Sequence, residues 1–113
     1  MSESITYTVD GDGIAVITID QKDRSMNVLF EGFMEEFGAA VENAAGDDQV
    51  KGVIVTSAKD SFIAGADLTW ILGLFDRDLS LEETWDFSWR LQEGLRRMET
   101  CGKPFVAAIN GTA

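Results

Sequence analysis

Residues 61–70 read SFIAGADLTW. An apolar, β-branched run, Val53-Ile54-Val55, precedes them, and Asp67 to about Phe75 reads as a short helix after them. Between strand and helix lies Ala64-Gly65-Ala66, a turn almost bare of side chains. Such a turn leaves main-chain N–H groups pointing outward with nothing in front of them. The first N–H groups of a helix lack internal partners, and the macrodipole adds partial positive charge there. An oxyanion developing at that point would be stabilised, and losing one such donor costs on the order of 3 kcal/mol of barrier. The competing reading is a plain tight turn capped by Asp67.

Working outward towards the N-terminus, Ile5, Tyr7 and Val9 alternate with polar residues, the period of a strand. The turn-rich Asp10-Gly11-Asp12-Gly13 and the apolar run Ile14 to Ile19 complete a predicted β-hairpin. Gln21 to Ser25 reads as a polar loop. From Leu29 to Ala45 the period lengthens: Leu29, Phe33, Phe37 and Val41 recur every four residues, with Glu31, Glu35 and Glu42 off that stripe. That pattern predicts an amphipathic helix.

On the C-terminal side, Ser80-Leu81-Glu82-Glu83 is a capping box. It opens a long helix with Phe87, Leu91, Leu95 and Met98 on one face, ended by Gly102-Lys103-Pro104. Phe105 to Ile109 reads as a last strand, apolar on both faces, which calls for neighbours on both sides. The order β-β-α-β-α-α-β gives the class α/β. The 113 residues fit one domain at most, and the sequence reads as incomplete at its C-terminal end.

The composition, 45% hydrophobic and 26% charged, is that of a folded chain. Nine Lys and Arg against 20 Asp and Glu give a net charge of -11, which argues against nucleic acid and against an anionic membrane surface. Cys101 has no partner for an internal disulfide, and the lack of histidine excludes a Cys/His zinc site. The opening MSESITYTVDG shows no basic stretch followed by an apolar run, and no run of about 18 apolar residues exists to span a bilayer. A cytoplasmic or similarly reducing compartment is the expectation.

Other constellations dissolve on inspection. Asp10 to Gly13 lacks the further oxygen ligands of a calcium loop, with Gln21 where the closing glutamate belongs. Val16 replaces the third glycine of a dinucleotide fingerprint, and a strand follows instead of a helix. The carboxylates fall mostly on solvated helix faces. Trp70, Trp85 and Trp89 read as core or interface anchors, with stacking on a ligand as the alternative.

Three pieces in order change the weight of the turn. Phe62-Ile63-Ala64-Gly65-Ala66-Asp67-Leu68, preceded by Met26-Asn27-Val28-Leu29 and followed by Lys103-Pro104-Phe105-Val106-Ala107-Ala108-Ile109-Asn110-Gly111, resembles the crotonase (enoyl-CoA hydratase/isomerase) family. The likeness covers essentially the whole chain. Its wording looks most like the hydratase domain at the front of multifunctional fatty-acid oxidation proteins, where an NAD-dependent 3-hydroxyacyl-CoA dehydrogenase follows on the same chain. A stand-alone hydratase is the alternative arrangement.

The resemblance implies a crotonase-like ββα spiral, here truncated, with residues 1–113 as the N-terminal part of the hydratase domain. It implies hydration of 2-trans-enoyl-CoA to 3-hydroxyacyl-CoA in fatty-acid β-oxidation, with no cofactor for that step and NAD for the dehydrogenase of the parent. The backbone N–H of Ala66 is expected as one of two oxyanion-hole donors to the thioester carbonyl. Substrate contacts are expected from Arg24 and Met26 on the loop over CoA, with Arg24 facing a phosphate. Further contacts are expected from Ala64 near the adenine, and from Gly65, Asp67 and Leu68. No metal is implied. The second donor and two glutamates are expected beyond Ala113, so the piece alone is expected to be inactive. Its partners are expected to be acyl-CoA, and either a second copy or the remainder of the parent chain. An isomerase on the same scaffold and a non-catalytic assembly module are the other readings.

Overall fold

The computed structural model describes residues 4–30 and 32–113. Strands β1 (Ile5–Val9) and β2 (Ile14–Ile19) form the expected antiparallel hairpin, with Ile5 opposite Ile19 and Val9 opposite Ala15. In its turn the Asp10 carboxylate accepts the N–H groups of Asp12 (2.8 Å) and Ile14 (3.0 Å). Gly13 closes the turn at φ 83°, and a Cβ there would sit 2.6 Å from the Gln49 carbonyl oxygen. The acidic pair and the glycines thus serve a hairpin.

Helix α1 (Phe33–Gly46) crosses to strand β3 (Gly52–Ser57), which returns parallel to β2. After helices α2 (Leu68–Asp76) and α3 (Leu81–Thr100), strand β4 (Phe105–Ala107) pairs parallel with β3. The four strands lie in chain order across one mixed sheet. The element order is the one the sequence predicts. A ββα unit with parallel return is what an apolar, β-branched β3 requires, since such a strand is covered on both faces.

The core sits between this sheet and α1. Ile5, Ile17, Ile19, Val53 and Val55 meet Phe33, Phe37, Ala40, Val41 and Ala44, all buried. Phe33 and Phe37 stack with ring centroids 5.7 Å apart. Helix α3 joins this body through Met98, which packs against the core, and through polar links. Arg97 pairs with Glu42 of α1, and the Lys103 ammonium donates to the Ala44 (2.7 Å) and Asp47 (2.6 Å) carbonyls at the end of α1. The Ala44 carbonyl lies in the last turn, where helical partners run out, so the cation supplies one; the Asp47 carbonyl also accepts the Val50 N–H (3.0 Å). Among the described residues no helix is long and apolar enough to cross a membrane.

Four expectations are corrected. The helix predicted from Leu29 starts at Phe33, because Gly32 turns left-handed (φ 87°) and the backbone of Leu29 pairs elsewhere. Glu31, placed off the apolar stripe, lies outside the described residues. The last strand ends at Ala107, not Ile109, although the Ala108 N–H still reaches the Val55 carbonyl (2.8 Å). Nor is that strand covered on both faces. It is the edge of the described sheet, and Val106 is 58% exposed. Gln21, read as part of a polar loop, is buried because its amide is held by the Val28 backbone on both sides.

Candidate functional site

The segment from Ala64 to Asp67 runs alongside Asn27 to Leu29 as a short ribbon. The Leu29 N–H donates to the Gly65 carbonyl (2.8 Å), and the Leu29 carbonyl accepts the Asp67 N–H (2.7 Å). In a parallel pairing of this kind one residue grips the groups on either side of its opposite number. Ala66 is that opposite number, so its own N–H is turned away from Leu29. It has no acceptor among the described residues. Gly65 takes φ 83°, and no atom lies within 4 Å of where its Cβ would stand. Backbone conformation, not crowding, requires glycine here, and the space above it is open.

A buried amide fixes the ribbon. Asn27, fully inside, donates through Nδ2 to the Ile19 carbonyl (3.2 Å), Ser57 Oγ (2.7 Å) and the Phe62 carbonyl (3.1 Å). Its Oδ1 accepts the Gln21 N–H (3.1 Å), and its own carbonyl accepts the Ala64 N–H (2.7 Å). One side chain thereby ties the end of β2, the end of β3 and the turn. Lys59 does the same for the preceding loop, donating to the carbonyls of Gln21 (2.7 Å) and Arg24 (2.8 Å) and pairing with Asp20 (3.1 Å). From the far end, the Asn110 amide reaches the Ser57 (3.1 Å) and Lys59 (2.8 Å) carbonyls. Gly111 lies so close to the Asp60 backbone that no side chain fits. Sequence reasoning missed Lys59 altogether and took Asn27 only as part of a motif. A small amide between Met26 and Val28, flanked by apolar residues, was the available signal.

Behind Ala66, Asp67 caps α2, its carboxylate accepting the N–H groups of Thr69 (2.8 Å) and Trp70 (3.2 Å). It also pairs with Arg24. The Trp70 N–H and the Arg24 guanidinium together hold its carboxyl below the usual carboxylate range. The capped-turn reading is therefore correct, and it coexists with an unoccupied Ala66 donor.

Ala66 opens on a cavity of 460 Å³. Phe30, Phe33 and Leu91 line it, with Trp70, Ile71 and Leu74 from α2 and Phe87 from α3. The volume is in the range of about 300–1,000 Å³ common for small-ligand sites. Glu35 supplies the carboxylate of its described lining, and Arg77 and Arg90 its cations. A backbone donor N–H in the lining of a mainly apolar cavity suits a ligand with a carbonyl joined to a hydrocarbon chain.

The other expected contacts are distributed unevenly. Arg24 lies with one guanidinium nitrogen on Asp67, on the same loop as the half-exposed Met26. The Ala64 N–H is bonded to Asn27, which leaves the carbonyl as its main-chain group for a ligand. Gly65 adjoins the donor. Leu68 is 75% exposed and outside the lining of the Ala66 cavity.

Comparison with known proteins agrees with this geometry. The family described as Enoyl-CoA hydratase/isomerase matches residues 10–113. "Fatty acid oxidation complex subunit alpha" of Idiomarina loihiensis is 42% identical over 110 residues, which is 96% of this chain and 15% of that protein. The protein of the same name from Acinetobacter baylyi is 38% identical over 112 residues, again 15% of its length. The chain thus spans a small part of the curated relatives it matches. Among solved structures, an enoyl-CoA hydratase/isomerase from Xanthobacter autotrophicus Py2 superposes with a TM-score of 0.80 at 28% identity, over 96% of this chain and 39% of that one. An enoyl-CoA hydratase from Shewanella pealeana gives 0.84 at 20% identity over 95% and 39%, a likeness of fold.

Proposed function

The chain belongs to the enoyl-CoA hydratase/isomerase family, and we propose that the protein carrying it hydrates 2-trans-enoyl-CoA to 3-hydroxyacyl-CoA in fatty-acid β-oxidation. Residues 1–113 are in this reading the N-terminal part of the hydratase domain. The observation that carries it is the Ala66 N–H, without an acceptor at the mouth of an apolar cavity. Hydration adds water across a double bond conjugated to the thioester, and negative charge gathers on the thioester oxygen. A donor fixed by the Leu29 pairing and the Asp67 cap needs no reorganisation when that charge appears. In this reading Arg24, Met26 and the Ala64 main chain contact the CoA portion, and Gly65, Asp67 and Leu68 are further substrate contacts.

Water addition also needs a base for water and an acid for the α-carbon. Among the described residues Glu35 is the one carboxylate that lines the cavity, and one carboxylate does not fill both roles, so in this reading residues 1–113 by themselves are inactive. The parent carries a 3-hydroxyacyl-CoA dehydrogenase as well, working in the cytoplasm. Its NAD would be held elsewhere, since the glycines of Asp10 to Gly13 close a hairpin between two strands. Hydration itself requires no cofactor.

The test is Ala66→Pro in the full protein. Proline removes an N–H that makes no internal bond, so kcat for crotonyl-CoA falls about 10²–10³-fold while the folded signal in circular dichroism persists. Unchanged turnover, or turnover by purified residues 1–113, refutes the assignment. A second reading, an assembly module, is favoured by the exposed apolar residues of α2 and α3, Phe75 at 81% among them. Light scattering with and without acyl-CoA separates the two, since a module associates regardless of ligand.

A further inference from the structure

The Ala66 cavity has an aromatic wall that the oxyanion role leaves unused. Trp70 stands four residues after Ala66, one turn along α2, and its own N–H is tied to the Asp67 cap. Its ring leans on Phe87 of α3, with centroids 5.6 Å apart and planes at 51°. Both rings line the cavity. The pair therefore bridges the two helices that wall it. The Trp70 indole nitrogen is buried without an acceptor among the described residues. Buried indole N–H groups usually find a partner, so the ring is held here by its shape and not by a bond of its own.

A thioester carbonyl on the Ala66 N–H fixes where an acyl chain begins. The chain then runs along a mainly apolar wall, with Glu35, Arg77 and Arg90 as the charged members of the described lining, and Trp70 is the bulkiest apolar part of that wall. The Asp67 cap fixes the Trp70 backbone beside the donor, and the ring itself is braced by Phe87. Resting on the hydratase reading above, we propose that Trp70, braced by Phe87, sets the upper limit of acyl-chain length this site accepts. Trp70 is a specificity-determining residue, and the N–H it leaves unbonded plays no part.

The test uses the full protein and 2-trans-enoyl-CoA of four and ten carbons. Trp70→Ala raises the ten-to-four ratio of kcat/KM by roughly tenfold or more, the scale on which hydrophobic pockets discriminate by methylene groups. Phe87→Ala moves the ratio in the same direction by less. Trp70→Phe keeps a smaller aromatic ring in place and removes the N–H with the rest of the indole, so it moves the ratio in the same direction by less than Trp70→Ala. A merely structural residue would lower both substrates in proportion. An unmoved ratio in Trp70→Ala, with wild type active, overturns this inference alone. A shift in Trp70→Phe as large as that of Trp70→Ala also overturns it, because an aromatic ring would then be in place without limiting the chain. A wild-type protein that hydrates neither substrate overturns the hydratase reading, and this one with it.

Discussion

The sheet with α1 and the pair α2–α3 both carry large apolar side chains at regular spacing but end in opposite states. In the first, Ile5, Ile17, Ile19, Phe33, Phe37 and Val41 are buried almost completely. In the second no residue of either helix is buried, and Leu72 and Trp85 stand 64% and 66% exposed. Both helices form all the same, because their ends are set locally: Asp67 caps α2, and Ser80 with Glu83 makes a reciprocal box on α3. Helix formation and helix burial are separate events. The first needs caps and period, and the second needs a partner surface.

The strongest way to break this contrast is in the sheet. Ile17→Ala leaves a cavity where no solvent reaches and should cost about 2–5 kcal/mol, read as a lower urea midpoint at unchanged slope. A cost under about 1 kcal/mol would mean the sheet and α1 are no better packed than the helices that follow. Asn27→Ala comes next. It strands the Gln21 N–H and the Phe62 carbonyl, while the Ile19 carbonyl keeps the Ala58 N–H, and each buried group left without a partner costs about 1–3 kcal/mol. If Asn27→Ala unfolds no earlier than wild type, the turn does not depend on that amide.

A smaller effect separates the regions by pH. The carboxyl of Asp67 lies below its ordinary value because the Trp70 N–H and then Arg24 favour the charged form. Its contribution to α2 is therefore complete above the ordinary carboxylate range and disappears as pH falls through the lowered value. Glu42, held down by Arg97, and Asp20, held down by Lys59 and Lys22, lose their pairs with the same sign. The difference between wild type and Asp67→Asn isolates the cap. Helix content at 222 nm should drop on acidification further in wild type than in the variant, and equal slopes would remove Asp67 as the cause.

What could be read in advance follows the same division. The hairpin from Ile5 to Ile19, the capping box and the exposed donor at Ala66 depend on neighbours in sequence, and their residues announce them. The start of α1 does not. Leu29 continues the helical stripe, yet its N–H and carbonyl are taken by Gly65 and Asp67 more than thirty residues away. Burial of Gln21 and the three donations of Asn27 are likewise products of distant backbone. The last strand shows the reverse error. Val106 has the sequence of a covered position, and only the sheet order shows that its far side has no strand among the described residues. The site was legible as a donor and a motif. The cavity behind it was not, because Trp70 and Phe87 meet across two helices whose relative placement no local period encodes.

The smallest expected effect tests the contrast most directly. Leu72→Gln and Trp85→Gln change apolar side chains that lie on solvent, so each should shift stability by no more than about 0.5 kcal/mol. The same substitutions should reduce self-association, because Leu68, Leu72 and Phe75 on α2 and Leu81, Trp85 and Trp89 on α3 form exposed apolar stripes beyond what a monomer usually presents. Trp85 and Trp89 already stack on each other, ring centroids 6.4 Å apart, which shields part of each ring but leaves the outer faces bare. Light scattering at rising concentration, with urea unfolding on the same samples, reads both quantities. A loss of about 2 kcal/mol from either change would show that these side chains are packed in solution, and α2 and α3 would then belong to the core. Unchanged stability with weaker association would instead mark them as a surface whose partner lies outside residues 4–30 and 32–113 of one copy.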